Sequence, residues 1–319
     1  MTAPRVPLVD DPRSQVLFVG GMPRSGSTLF DLMVGQLPGH CDVGELFYMW
    51  QAGLARDQLC ACGEVFSACP FWLAVGTVAF GGWENIDAPE MLELQRRVDT
   101  TSRLPLSWLG RLLPRHTAAV HRYLGVVGQL YSAIAEVSGA RVVVDSSKRP
   151  STAHLLAGAS RVNLRVVQVV RDPRGVVNSW SRQVPLPDKA GARAYLKRRS
   201  MVETVRRWLT VNLLTESLSR RGVPVARVRY EDLVREPVAA MTTVQRLMGE
   251  VPTPEATSFL SPDGLATGAS HAIAGGRVRM RSGTVPLRLD EAWRRELPRW
   301  KQLVTVAATW PLMRRYGYH

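Results

Sequence analysis

The chain has 319 residues, 45% hydrophobic and 21% charged, a balance that fits a folded globular protein and excludes a largely disordered one. That length accommodates one large α/β domain with insertions, and a single domain is expected. The formal charge is +14, and only four of the 41 basic residues are lysines; arginine forks match phosphate and sulfate oxygens, so an anionic ligand competes with a plain arginine bias as the reason.

The N-terminal stretch MTAPRVPLVDDPRSQ holds no apolar run of the kind a signal peptide needs, and no uncharged stretch elsewhere is long enough to span a bilayer. A cytoplasmic protein without a membrane span is therefore expected. Gln15 to Gly21 (QVLFVGG) reads as a buried parallel strand running into glycines. The loop behind it, Gly21 to Thr28, has the G-x-x-x-x-G spacing of a phosphate-binding loop, but Ser27 stands where the Walker pattern has lysine, and a cation, Arg24, lies two places before the second glycine. From Ser27 onward, Leu29, Leu32, Met33 and Leu37 recur at helical spacing until Pro38-Gly39. Strand, loop and helix in this order present free amides and the positive end of a helix dipole to an anion.

Cys60, Cys62 and Cys69 cluster in CACGEVFSACPFW, with His40 and Cys41 upstream. The pattern falls short of two C-x-x-C pairs, so a packed thiol-lined loop anchored by Pro70, Phe71 and Trp72 is preferred over a zinc site, and no tightly bound metal is expected. Residues 83–139 read as helical, broken near Pro105 and Pro114. Three more apolar strands lie in ARVVVDSSKRP (Ala140 to Pro150), NLRVVQVVRDPRGVVNSW (Asn163 to Trp180) and PVARVRYEDL (Pro224 to Leu233), the second leading into a helix after Pro173. Apolar strands separated by helices specify a doubly wound parallel sheet, an α/β fold whose ligands bind at the carboxyl ends of the strands. The polar clusters around Asp145, Lys148 and Arg171 all lie at such ends.

In this order, PRSGST, DSSK, RDPRGVVNS and RYEDL resemble the motifs of the sulfotransferases that use 3′-phosphoadenosine-5′-phosphosulfate (PAPS), above all the tyrosylprotein sulfotransferases and their bacterial relatives. The resemblance covers residues 15–235, and more loosely reaches Trp293. It implies a P-loop-type doubly wound parallel β-sheet flanked by helices, in one domain over 1–319 with its core at 15–235, a helical insertion at 83–139 and a cofactor-closing loop at 268–285. It also implies transfer of a sulfuryl group from PAPS to an acceptor hydroxyl without a metal. Carried onto this chain, Arg24 takes the place of the family's 5′ cation, while Ser25, Gly26, Ser27 and Thr28 supply donors to the 5′-phosphate. Arg171 and Ser179 hold the 3′-phosphate, with an ion pair to Asp172 or Asp145 as the alternative for Arg171. Tyr230 meets the adenine, or is simply a strand-end aromatic, and Lys148 faces the transferring group. In SHAIAGGRVRMRSG (Ser270 to Gly283) the chain departs from the bacterial G-N-P-x-R pattern; Arg279 is the preferred phosphate ligand there and Arg277 the reserve.

Aligned without gaps from PRSGST through Pro38, the glutamate that serves the tyrosylprotein enzymes as base falls on Glu45, after a helix of about four turns. His116 and His121, neighbours on one expected helix, are its rivals. The acceptor stays open: a peptide tyrosine fits the resemblance, whereas a cytoplasmic chain without a targeting segment favours a small metabolite, glycan, lipid alcohol or phenol, and the basic loop Ser181 to Ser200 is expected to cap its pocket. Two other classes use the same features. A P-loop kinase shares the strand-loop-helix unit, and a nucleic-acid binder would exploit the +14 charge, but neither a recognition helix nor an aromatic platform is visible, so no nucleic-acid partner is expected.

Overall fold

The computed structural model describes residues 13–104, 114–183 and 198–319. Strands β1 (Ser14–Gly20), β2 (His40–Asp42), β3 (Val142–Lys148), β4 (Val162–Val170) and β5 (Val225–Arg229) form one sheet in the order β2-β3-β1-β4-β5, with every neighbouring pair parallel. All of β3 is buried, and so is β4 except for Asn163, because Val-rich strands in a parallel sheet are covered on both faces. Side chains alternate between the covers. Val16, Phe18 and Val143 pack with the helices Pro70–Phe80 and Pro114–Ser138, while Leu17, Val19, Val142 and Val144 pack with helix α1 (Ser27–Val34) and with Pro237–Met248.

The central strands and the P-loop helix stand where the sequence puts them. Three features differ. Helix α1 has eight residues, about two turns instead of four, since its end tightens into i→i−3 bonds from Gln36 to Met33 and from Leu37 to Val34. Second, the chain then adds β2 beside β3, and Glu45 follows just past its carboxyl end. Third, a small antiparallel sheet, β6 (Leu260–Ser261), β7 (Gly264–Thr267) and β8 (Gly283–Val285), flanks the C-terminal loop. These strands are too short to show alternation in sequence.

Helices in the insertion region begin earlier than residue 83, with Pro70–Phe80, followed by Ala88–Val98 and Pro114–Ser138. Pro114 opens its helix, as proline at a first turn does; the break near Pro105 lies outside the described residues. Among the described residues no helix is long and apolar enough to cross a membrane.

Candidate active site

The register of β1 sets the geometry, for Gly20 lies opposite Lys148 of β3 and Gln168 of β4. The P-loop therefore leaves the sheet between the carboxyl ends of β3 and β4. Gly26 caps α1 at φ 87° with no side-chain cap, and a Cβ there would lie 2.4 Å from the Tyr230 ring. Only glycine lets that ring close on the loop. The Ser25 hydroxyl is buried with no hydrogen-bond partner. An uncapped helix start beside an unsatisfied hydroxyl is a cradle built for an anion.

Arg24 sits in the left-handed region at φ 78°, a conformation that costs a non-glycine residue about 1–3 kcal/mol and persists where its surroundings impose it. Its Nε donates to Ser179 Oγ at 3.0 Å. Arg171, at the end of β4, donates to the Arg24 carbonyl at 3.2 Å and to the Asp290 carbonyl at 2.7 Å, and stands 3.1 Å from the Asp290 carboxylate. Arg182 lies 3.7 Å from the same carboxylate and also pairs with Glu296. Burial, then the charges of Arg171 and Arg182, pull the Arg24 guanidinium below its ordinary pKa. Burial alone would raise Asp290, but the Arg171 hydrogen bond and the two arginine charges hold it below the usual carboxylate range. Three guanidiniums thus gather around two carboxylates, Asp290 and Glu296.

The alternative partners of Arg171 are engaged elsewhere. Asp172 caps its own helix and pairs with Arg174 at 2.6 Å, while Asp145 accepts from Tyr131 at 2.6 Å. Tyr230 lies under the Arg171 guanidinium at 4.5 Å, and its hydroxyl donates to the Arg288 carbonyl and accepts from the Asp290 amide. It therefore braces both the P-loop and the Arg171 side.

Glu45 is held by four separate contacts. Its amide donates to the Ile273 carbonyl at 2.9 Å; the next two amides, of Leu46 and Phe47, donate to Asp145 Oδ1 and Ser147 Oγ. Its Oε1 accepts from Lys148 Nζ at 2.6 Å. The DSSK stretch at the end of β3 thus supplies both the turn's anchors and its counter-cation. Lys148 is itself in the left-handed region at φ 63°, so Arg24 and Lys148 are both set in strained backbone. The pair is only partly open, with side-chain exposures of 17% for Glu45 and 6% for Lys148.

The C-terminal loop closes over this pair. Gly275 is against Glu45 and Gly276 against Thr28, whose hydroxyl would lie 3.3 Å from a Cβ on Gly276. Ser270 bonds Asp42, and Ile273 bridges to Gly44. Burial pushes the Asp42 carboxyl up to about 6. Arg279 is 3% exposed and donates to the carbonyls of Gly275 and Leu59. Two of its nitrogens thus tie the loop to the turn that precedes Cys60. The Arg277 side chain lies outside the described residues, as do residues 184–197 of the basic loop. His116 and His121 line a different cleft, with His154, Leu155 and Arg221, that shares no residue with the P-loop, Glu45 or Lys148.

Two participants carried no recognisable sequence signal. Asp290 sits in an ordinary charged stretch, and Arg182 is one arginine among many; only the ion pairs of Arg171 and Arg182 with Asp290 mark them.

The comparisons agree with this geometry. Residues 16–255 match the family described as the sulfotransferase family. A human protein, carbohydrate sulfotransferase 3, is 28% identical over 176 residues, 51% of this chain; the chain spans only about a third of that relative's length, 35%. Two solved structures share the fold: the sulfotransferase domain of the olefin synthase of Synechococcus PCC 7002, with a TM-score of 0.51, 20% identity, and 98% and 97% of the two chains covered, and the sulfotransferase domain from the curacin biosynthetic pathway, with a TM-score of 0.51, 16% identity, and 97% and 99% covered. An uncapped helix start at the carboxyl ends of a five-stranded parallel sheet, the Glu45–Lys148 ion pair beside it and a family match over most of the chain lead to one conclusion: the chain belongs to the sulfotransferase family.

Proposed function

We propose that the enzyme moves a sulfuryl group from PAPS to an acceptor hydroxyl and releases adenosine 3′,5′-bisphosphate. The observation that carries this reading is the pairing of Glu45 with Lys148 at 2.6 Å beside a P-loop that has serine at the Walker lysine position. When bound, PAPS supplies a sulfuryl group joined to a 5′-phosphate, and a 3′-phosphate as a second anchor. The residues present fit both phosphates. The uncapped start of α1, the orphaned Ser25 hydroxyl and the hydroxyls of Ser27 and Thr28 bind the 5′ end, while Arg171 and Ser179 bind the 3′-phosphate from strand and helix. Tyr230 flanks the nucleoside side.

Glu45 takes the acceptor's proton at Oε2, the oxygen that Lys148 does not occupy. Lys148 and Arg24 meet the negative charge that develops where the leaving oxygen departs, as fixed cations that need no reorganisation. Positioning and electrostatics carry such a transfer, with little covalent work for the protein.

The test is ligand protection. Adenosine 3′,5′-bisphosphate is expected to raise the melting temperature well above the shift given by AMP, because only the former has a group for Arg171 and Ser179. Equal shifts, or stronger protection by ATP with Mg²⁺, overturn the reading. A screen of hydroxyl compounds with radiolabelled PAPS then identifies the acceptor; sugar hydroxyls come first, on the name of the human relative.

Gly175 gives a second check. A Cβ there would lie 2.9 Å from Arg171 Nε, so Gly175→Ala should displace the guanidinium. Loss of a charge-assisted hydrogen bond of ~1.5–3 kcal/mol weakens bisphosphate binding by ~10–100-fold in a calorimetric titration, with AMP affinity nearly unchanged.

A further inference from the structure

The cysteine cluster gains a fourth member from the far end of the chain. His271 Nδ1 lies 3.3 Å from Cys69 Sγ and 3.7 Å from Cys60 Sγ; the Cys60–Cys69 and Cys62–Cys69 sulfur distances are both 3.7 Å. All four donor atoms lie within 4.8 Å of one another. In a tetrahedral zinc site, Zn–S of ~2.3 Å and Zn–N of ~2.0–2.1 Å place sulfurs ~3.8 Å apart and sulfur ~3.6 Å from nitrogen. The four observed contacts lie close to those edges, so an ion fits with little movement of the side chains.

We propose that Cys60, Cys62, Cys69 and His271 bind a zinc ion as a closed structural site. Sequence spacing favoured a packed thiol loop because the fourth ligand is 202 residues away from Cys69 and has no local pattern. A disulfide does not account for the arrangement, since one bridge leaves a third thiol and the imidazole unexplained. Three thiolates and an imidazole are a soft donor set that selects zinc over magnesium or calcium, and on binding the three thiol protons go to solvent.

The surroundings are built as an outer shell. Leu59 and Val65 pair across the base of a tight turn in which Cys60 donates to the Glu64 carbonyl and Gly63 donates to that of Cys60. The His271 ring stacks on Phe71 at 4.7 Å and 10°, and the His271 carbonyl accepts from Trp72 Nε1 at 3.0 Å. Ring orientation is thus set by packing before any ion arrives, which is how outer-shell contacts act at metal sites.

The site bears on the reaction through backbone. Ala61 donates to the Ala272 carbonyl, Ile273 donates to Val43, and the Ile273 carbonyl accepts from Glu45. An ion on His271 therefore clamps the closing loop to the cysteine turn and, through Ile273, steadies Glu45. The four ligands are structural and positioning residues.

The experiment uses full-length protein purified without chelator or metal-affinity resin. Stoichiometric zinc by elemental analysis is expected, together with release of that zinc when the thiols are titrated with a mercurial. Replacement by cobalt should give thiolate-to-metal charge transfer and the intense d–d bands of tetrahedral coordination. Cys69→Ser and His271→Ala should lose the metal and melt at lower temperature. His271→Cys should keep the ion with an altered cobalt spectrum, which separates ligation from mere packing. Bisphosphate protection should persist in any variant that remains folded, so failure of the zinc site is distinguishable from failure of the PAPS reading. Trace metal only with no cobalt uptake, zinc retained at full stoichiometry in both Cys69→Ser and His271→Ala, or a Cys60–Cys69 disulfide in protein purified under reducing conditions overturns the proposal.

Discussion

Glu45→Gln is expected to lower the rate of sulfuryl transfer by ~10²–10⁴-fold, the usual worth of a positioned base. Glutamine keeps the shape and can still accept from Lys148 Nζ, which lies 2.6 Å from Oε1, but it cannot take a proton from the acceptor. The turn itself should survive, since Ile273, Asp145 and Ser147 hold it through backbone amides. Bisphosphate affinity should barely change, because the carboxylate contacts the closing loop and Lys148 and none of the P-loop donors. Single-turnover transfer at saturating PAPS isolates the chemical step from binding. A variant that keeps more than about a tenth of the wild-type rate places proton removal elsewhere. His116 and His121, in their separate cleft, would then need a rearrangement to act.

Arg24→Ala should weaken both binding and turnover, because in the proposed mechanism that cation meets the donor before and during bond breaking. Loss of one preorganised donor at a developing charge lowers turnover by ~10²–10³-fold, and loss of a charged contact to the bound nucleotide weakens affinity by ~10–100-fold. The unliganded protein should not suffer in proportion. Arg24 is held in a left-handed conformation beside two other guanidiniums, Arg171 and Arg182, so truncation removes repulsion along with the hydrogen bond to Ser179. An unliganded melting temperature equal to or above that of the wild type, with transfer severely reduced, marks a functional cation. A large fall in melting temperature with unchanged affinity would mark a structural one. Calorimetric titration with the bisphosphate and thermal melts of the same preparation provide both readings.

The central strands, the P-loop and the chemistry gathered at the strand ends are legible in the residues alone. Buried parallel strands are written as continuous Val, Leu and Phe runs, and a loop that must turn tightly around an anion is written in glycines and hydroxyls. The place of Glu45 beside the strand ends, though not its role, is legible too, but only by its ungapped distance from the loop; the helix between them is shorter than that distance suggests, and β2 makes up the length. Which side chains meet is settled only by the folded chain. Asp290 reaches Arg171 across 119 positions, Lys148 reaches Glu45 across 103, and His271 reaches Cys69 across 202. Arg279 reaches the Leu59 carbonyl across 220 positions. Local propensity and periodicity are written in neighbours within a few residues, whereas an ion pair or a ligand set between distant segments depends on the path of the whole chain, and nothing in either segment alone records its partner.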